Sequence, residues 1–120
     1  MAEMTETETE LDADAAAEKV AEGAQLVDVR QDYEWQAGHV EGAKHIPLEQ
    51  LPARANEVDA GRPVVFQCRT GARSSFATAA FREAGYDAYN MAGGLEAWVE
   101  QGRAIEPEDG EVAGPRPDAT

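Results

Sequence analysis

Apolar and polar positions alternate along this chain in two distinct rhythms. A short Ala-rich stretch capped by Asp12 or Asp14 and ending at Gly23 predicts a helix, with Val20 its main apolar residue. Gln25-Leu26-Val27-Asp28-Val29 then predicts a strand, and Asp32-Tyr33-Glu34-Trp35 a single helical turn stopped by Gly38. Lys44-His45-Ile46 is a second brief strand, closed by Pro47. Leu48, Leu51, Ala55 and Val58 fall near helical spacing, with Pro52 suited to a helix start. Pro63-Val64-Val65-Phe66-Gln67 is the unbroken apolar run of a strand covered on both faces. After a polar loop, Phe76, Ala77, Ala80, Phe81 and Ala84 predict the apolar face of a helix that Gly85 ends. Tyr86 to Met91 supplies another strand. Gly93-Gly94 opens a last helix, on which Leu95, Trp98 and Val99 share a face and which Gly102 closes. Strands alternating with helices over such short connections predict an α/β domain with a mostly parallel sheet.

Charge sharpens the domain limits. The 120 residues carry 24 acids and 10 bases, a net charge of −14. Residues 1–22 hold eight acids and one lysine, and residues 104–120 hold five acids and one arginine. The remaining 11 acids and 8 bases leave the central unit almost balanced. Residues 1–11, largely alternating Thr and Glu, and residues 104–120, rich in Pro, Gly and acid, are therefore expected to be disordered tails around one domain at 12–103. No basic stripe exists to neutralise nucleic acid phosphates or to meet an anionic membrane. The polar start has no basic and apolar regions of a signal peptide, and no apolar run approaches the ~20 residues of a spanning helix. A single cysteine, Cys68, excludes an internal disulfide framework and a Cys-rich zinc site. These features predict a cytoplasmic protein in which the thiol stays reduced.

Cys68 is also where chemistry concentrates. It ends a buried strand just before a helix, the edge at which open α/β sheets bind ligands. Gly71 and Ala72 let the loop Cys68-Arg69-Thr70-Gly71-Ala72-Arg73 curl, so that its N–H groups form an anion nest at the helix start. Arg69 and Arg73 bracket the thiol with positive charge. Together these effects favour thiolate over the ordinary thiol pKa of ~8.5. The alternative is a small buried apolar cysteine with no chemistry.

At this loop the chain resembles the rhodanese family. Asp28-Val29-Arg30 with Tyr33-Glu34 resembles the family's first motif, and Gly38-His39-Val40-Glu41-Gly42-Ala43-Lys44-His45-Ile46-Pro47 its second. Val64 to Ser74 resembles the active-site strand and loop, and Met91-Ala92-Gly93-Gly94-Leu95-Glu96-Ala97-Trp98 the closing motif. The resemblance implies a rhodanese-like fold, a five-stranded mostly parallel sheet with helices on both faces. It implies a sulfurtransferase in which Cys68 carries a persulfide and Arg69, Thr70, Gly71, Ala72, Arg73 and Ser74 form the anion-binding loop. Asp28 and Arg30 are expected to form a supporting polar network. The partners implied are a small anionic sulfur donor such as thiosulfate and a cyanide or thiol acceptor, with a protein acceptor as an alternative. No metal or organic cofactor is needed.

Three other readings compete. A dual-specificity-type phosphatase has five residues between its Cys and Arg; here only Arg69, Thr70, Gly71 and Ala72 lie between Cys68 and Arg73, a smaller ring better suited to sulfur. A cysteine peptidase would need His39 or His45 as a base, whereas the motif that carries them organises a turn. A persulfide carrier or interaction module serving one protein partner leaves no mark on this sequence. Trp35 and Trp98 are expected to pack in the core or at its edge, and Gly93-Gly94 to form a tight strand-to-helix turn.

Overall fold

The computed structural model describes residues 9–115. Five strands form one sheet in the order β1-β5-β4-β2-β3, every neighbouring pair parallel. They are β1 (Glu10–Leu11), β2 (Gln25–Asp28), β3 (Lys44–His45), β4 (Val64–Gln67) and β5 (Ala88–Met91). The helices are α1 (Ala13–Ala21), α2 (Asp32–Ala37), α3 (Leu51–Arg54), α4 (Ala72–Glu83) and α5 (Gly94–Glu100). This is the expected α/β architecture.

The two-residue period of the strands divides the core between two faces. Leu26, Val65 and Met91 point to one side, where Ala13 and Ala16 of α1 and Leu95 and Trp98 of α5 cover them. Val27, Val64 and Phe66 point to the other, against Leu51 of α3 and Ala77 and Phe81 of α4. Because β4 is central, its Val64–Gln67 run is buried throughout, which explains its lack of alternation. Cys68 continues the parity of Val64 and Phe66 and so emerges on the α4 side.

Three expectations need correction. The segment assigned to an N-terminal tail contains strand β1: Asn90 N–H donates to Thr9 O and Ala92 N–H to Leu11 O, both at 2.7 Å, and Leu11 joins the core. Two residues are too few to show alternation, so backbone pairing rather than pattern makes this strand. The C-terminal segment is also not loose as far as it is described. His39 and Glu106 pair through both backbone groups, Glu111 N–H donates to Ala37 O at 2.9 Å, and Ile105 and Val112 pack on the α1–α5 core. Gly38 permits this approach, since a Cβ there would lie 2.6 Å from Glu111 O. Residues 1–8 and 116–120 of the expected tails lie outside the described residues. Finally, Phe76 does not join the core face of α4. It is 72% exposed and, with Leu48, Leu51 and Pro52, lines an apolar cleft beside that helix.

Candidate active site

The six-residue loop hangs from the C-terminal end of β4, and its carbonyls are claimed from behind. Leu95 N–H donates to Cys68 O at 2.8 Å and Glu96 N–H to Arg69 O at 3.1 Å. These first N–H groups of α5 have no partner within their own helix, so the loop satisfies them. Gly94 makes the approach possible: its φ is +58°, and a Cβ would lie 2.5 Å from Cys68 O and from Arg69 C and O. The expected tight turn at Gly93-Gly94 thus holds the loop itself.

With the carbonyls turned outward, loop donors face the sulfur. Gly71 N–H lies 3.1 Å from Cys68 Sγ, and the N–H and Oγ of Ser74 each lie 3.4 Å away. Gly71 adopts φ +103°, a left-handed conformation that favours glycine and closes the ring at the start of α4. Cys68 is only 1% exposed, yet it differs from an inert core cysteine in this convergence of donors. Burial pushes the thiol pKa up, and hydrogen bonds from the Ser74 hydroxyl and from the Ser74, Gly71 and Thr70 amides outweigh it, for a net lowering.

The arginines act differently from the sequence expectation. Neither is a free cation beside the sulfur. Arg69 pairs with Glu96 of α5 at 2.7 Å. Arg73 forms a two-pronged pair with Glu34 of α2, at 2.7 and 2.9 Å. Glu34 is 2% exposed. Burial raises its pKa, but the Arg73 contact, the Gln31 N–H and the Arg30 charge bring it below the ordinary carboxylate value. Carboxylates therefore neutralise both guanidinium groups, and hydrogen bonds to Sγ provide the main bias toward thiolate. Thr70 and Ala72 sit exposed on the loop.

Asp28 and Arg30 are fully buried and joined to each other, with Arg30 Nε 2.9 Å from Asp28 Oδ1 and Nη2 2.7 Å from Oδ2. Arg30 Nη2 also donates to Gly38 O at 2.8 Å, which fixes the exit of α2. Through the Arg30 field on Glu34, and Glu34's grip on Arg73, this cluster braces the loop from the β2 side. His39 and His45 do not reach the sulfur by any hydrogen bond. Their rings stack with Trp35 at centroid distances of 3.7 and 4.8 Å, while His39 Nδ1–H donates to Trp35 O and His45 Nε2–H to Arg30 O. They organise the turn, and Trp35 packs between them. Trp98 is buried, its Nε1–H donating to Ala104 O at 3.1 Å.

Three further residues of the site escaped sequence reasoning: Glu34, Glu96 and Asn90. Glu34 stood within the first motif, and its position one turn into α2 was the available signal. Asn90 was visible as a polar residue in an otherwise apolar strand. Glu96 stood within the closing motif, with nothing in the sequence to tie it to Arg69.

A parallel sheet of this order, with a single-cysteine ring at the end of its central strand, defines a cysteine-loop α/β domain. The model of the Rhodanese-like domain matches residues 9–101, and the chain belongs to that family. It is 35% identical over 104 residues to a protein of Allochromatium vinosum named Sulfurtransferase, covering 84% of this chain and 97% of that one. It is 34% identical over 88 residues to the Thiosulfate sulfurtransferase GlpE of Pseudomonas aeruginosa, covering 72% and 76%. It is 42% identical over 76 residues to the Bacillus subtilis protein YqhL, where the match covers 62% of this chain and 60% of that one. No helix among the described residues is long and apolar enough to cross a membrane.

Proposed function

We propose that the protein is a sulfurtransferase that uses Cys68 to move a sulfane sulfur from thiosulfate, or a donor of similar chemistry, to cyanide or a thiol. The observation that carries this reading is the convergence of Gly71 N–H, Ser74 N–H and Ser74 Oγ on one sulfur. Such a nest favours thiolate, the form that attacks. Sγ bonds to the outer sulfur of thiosulfate, the S–S bond of the donor breaks, and sulfite leaves with the bonding pair. The persulfide then yields its outer sulfur to cyanide as thiocyanate, or to a thiol, and the Cys68 thiolate returns. The loop amides oppose the charge that appears on sulfur in each half-reaction. Family membership and the names of the Allochromatium and Pseudomonas relatives support the reaction class.

The Arg73–Glu34 pair speaks against phosphatase chemistry. A buried carboxylate already takes the end-on fork of this arginine and neutralises its charge, which leaves less of it for a phosphate. The testing experiment follows thiocyanate formation from thiosulfate and cyanide. Turnover in the wild type and none in folded Cys68→Ala is expected; equal rates in the two would reject Cys68 as the carrier.

A further inference from the structure

Asn90 lies on β5, directly behind the loop, and is 2% exposed. Its Nδ2 donates to Glu10 Oε1 at 2.9 Å and to Gly71 O at 3.1 Å. A carboxylate and a backbone carbonyl only accept, so the orientation of the amide is fixed. Oδ1 therefore faces Ser74 Oγ, at 2.5 Å. An amide oxygen also only accepts, so a hydrogen bond between these two oxygens must use the single hydroxyl proton of Ser74. Yet Ser74 Oγ is also the hydroxyl that faces Sγ. One proton has two acceptors. While it rests on Asn90, Sγ meets oxygen lone pairs, an arrangement suited to neutral sulfur. To stabilise a thiolate, the hydroxyl must turn away from Asn90.

Resting on the sulfurtransferase reading, in which Sγ alternates between thiolate and a neutral persulfide sulfur, we propose that Asn90 is a positioning residue that acts on Cys68 through Ser74. Its Oδ1 holds the Ser74 proton when Sγ is neutral and yields it when Sγ is charged. The buried hydroxyl thus has an acceptor at every stage, and the thiolate is less favoured than the loop alone would make it. Among the described residues, the charged groups of the loop and of the network behind it are already paired. They are Arg73 with Glu34, Arg69 with Glu96 and Asp28 with Arg30, while Glu10 touches Asn90 itself.

The test is the pH profile of Cys68 alkylation by iodoacetamide in wild type, Asn90→Leu, Ser74→Ala and the double variant. Asn90→Leu frees the hydroxyl for Sγ and is expected to move the midpoint down by about half a pH unit or more. Ser74→Ala is expected to move it up. In the Ser74→Ala background, Asn90→Leu is expected to move it no further, although Glu10 and Gly71 lose the same partner there. An equal shift in both backgrounds, an upward shift or no shift from Asn90→Leu would overturn the proposal. If Asn90→Leu does not fold, Asn90→Ala removes the same oxygen and must give the same sign. Alkylation uses no sulfur donor, so a wild type that takes no sulfur from thiosulfate would reject the sulfurtransferase reading and leave this result standing.

Discussion

Replacing Arg73 by Ala should strand Glu34, and the cost should depend on pH in a direction the structure fixes. Glu34 is nearly sealed from solvent, and its two oxygens take both prongs of Arg73. Removing one partner of a fully buried pair costs about 3–5 kcal/mol, whereas exposed pairs contribute under about 1. The Arg73 side chain is 35% exposed, so solvent screens one side of the pair. We expect a loss of about 2 kcal/mol at pH 7. In the wild type the Glu34 pKa is depressed, so its contribution is fully present above the ordinary carboxylate value and is lost as pH falls through the lower folded value. Without Arg73, burial acts against only the Gln31 N–H and the Arg30 field, and the carboxyl can escape its penalty by taking a proton. The gap between Arg73→Ala and wild type should therefore narrow from pH 7 to pH 4. Glu34→Gln/Arg73→Ala should recover much of the loss at pH 7. Urea unfolding of the wild type, Arg73→Ala and the double variant at both pH values measures this. A gap that is constant with pH, or below about 0.5 kcal/mol at pH 7, would refute the reasoning.

Other outcomes follow from the same contacts. Gly94→Ala places a Cβ on the Cys68 and Arg69 carbonyls at a left-handed φ, so a loss of about 2–4 kcal/mol and an upward shift of the alkylation profile are expected in thermal and iodoacetamide assays. Removing residues 104–120 uncovers the core beneath Ile105 and Val112 and should cost about 2 kcal/mol by chemical unfolding, whereas an unchanged midpoint would show that this segment does not dock. Arg69→Ala breaks only a partly exposed pair with Glu96 and should change stability by less than about 1 kcal/mol.

The buried strands were legible because β2 and β4 lie between neighbours and carry Val and Leu on both faces. Strand β1 was not, since its two residues pair through backbone groups that have no signature in side-chain pattern. The docked C-terminal segment was hidden for a related reason: Ile105 and Val112 are isolated among acids, Pro and Gly, with no period to read. Phe76 misled because helical spacing cannot say whether an apolar face extends past the edge of its partner. At the site, chain order brought Cys68, Gly71 and Ser74 together, so their grouping could be read directly. The partners of the arginines could not, because Glu34 lies 39 residues from Arg73 and Glu96 lies 27 from Arg69. Charges that looked like bait for an anion turned out to fasten the loop.

The central claim is that Cys68 takes up sulfur, and intact-protein mass after mixing with thiosulfate tests it most directly. The wild type should gain one sulfur atom and lose it again on addition of cyanide, with thiocyanate released in equal amount. Folded Cys68→Ser, nearly isosteric but with a hydroxyl too weakly acidic and too hard to carry sulfane sulfur, should gain nothing. A wild type that stays at its starting mass, or a Cys68→Ser protein that gains the same sulfur, would contradict the account.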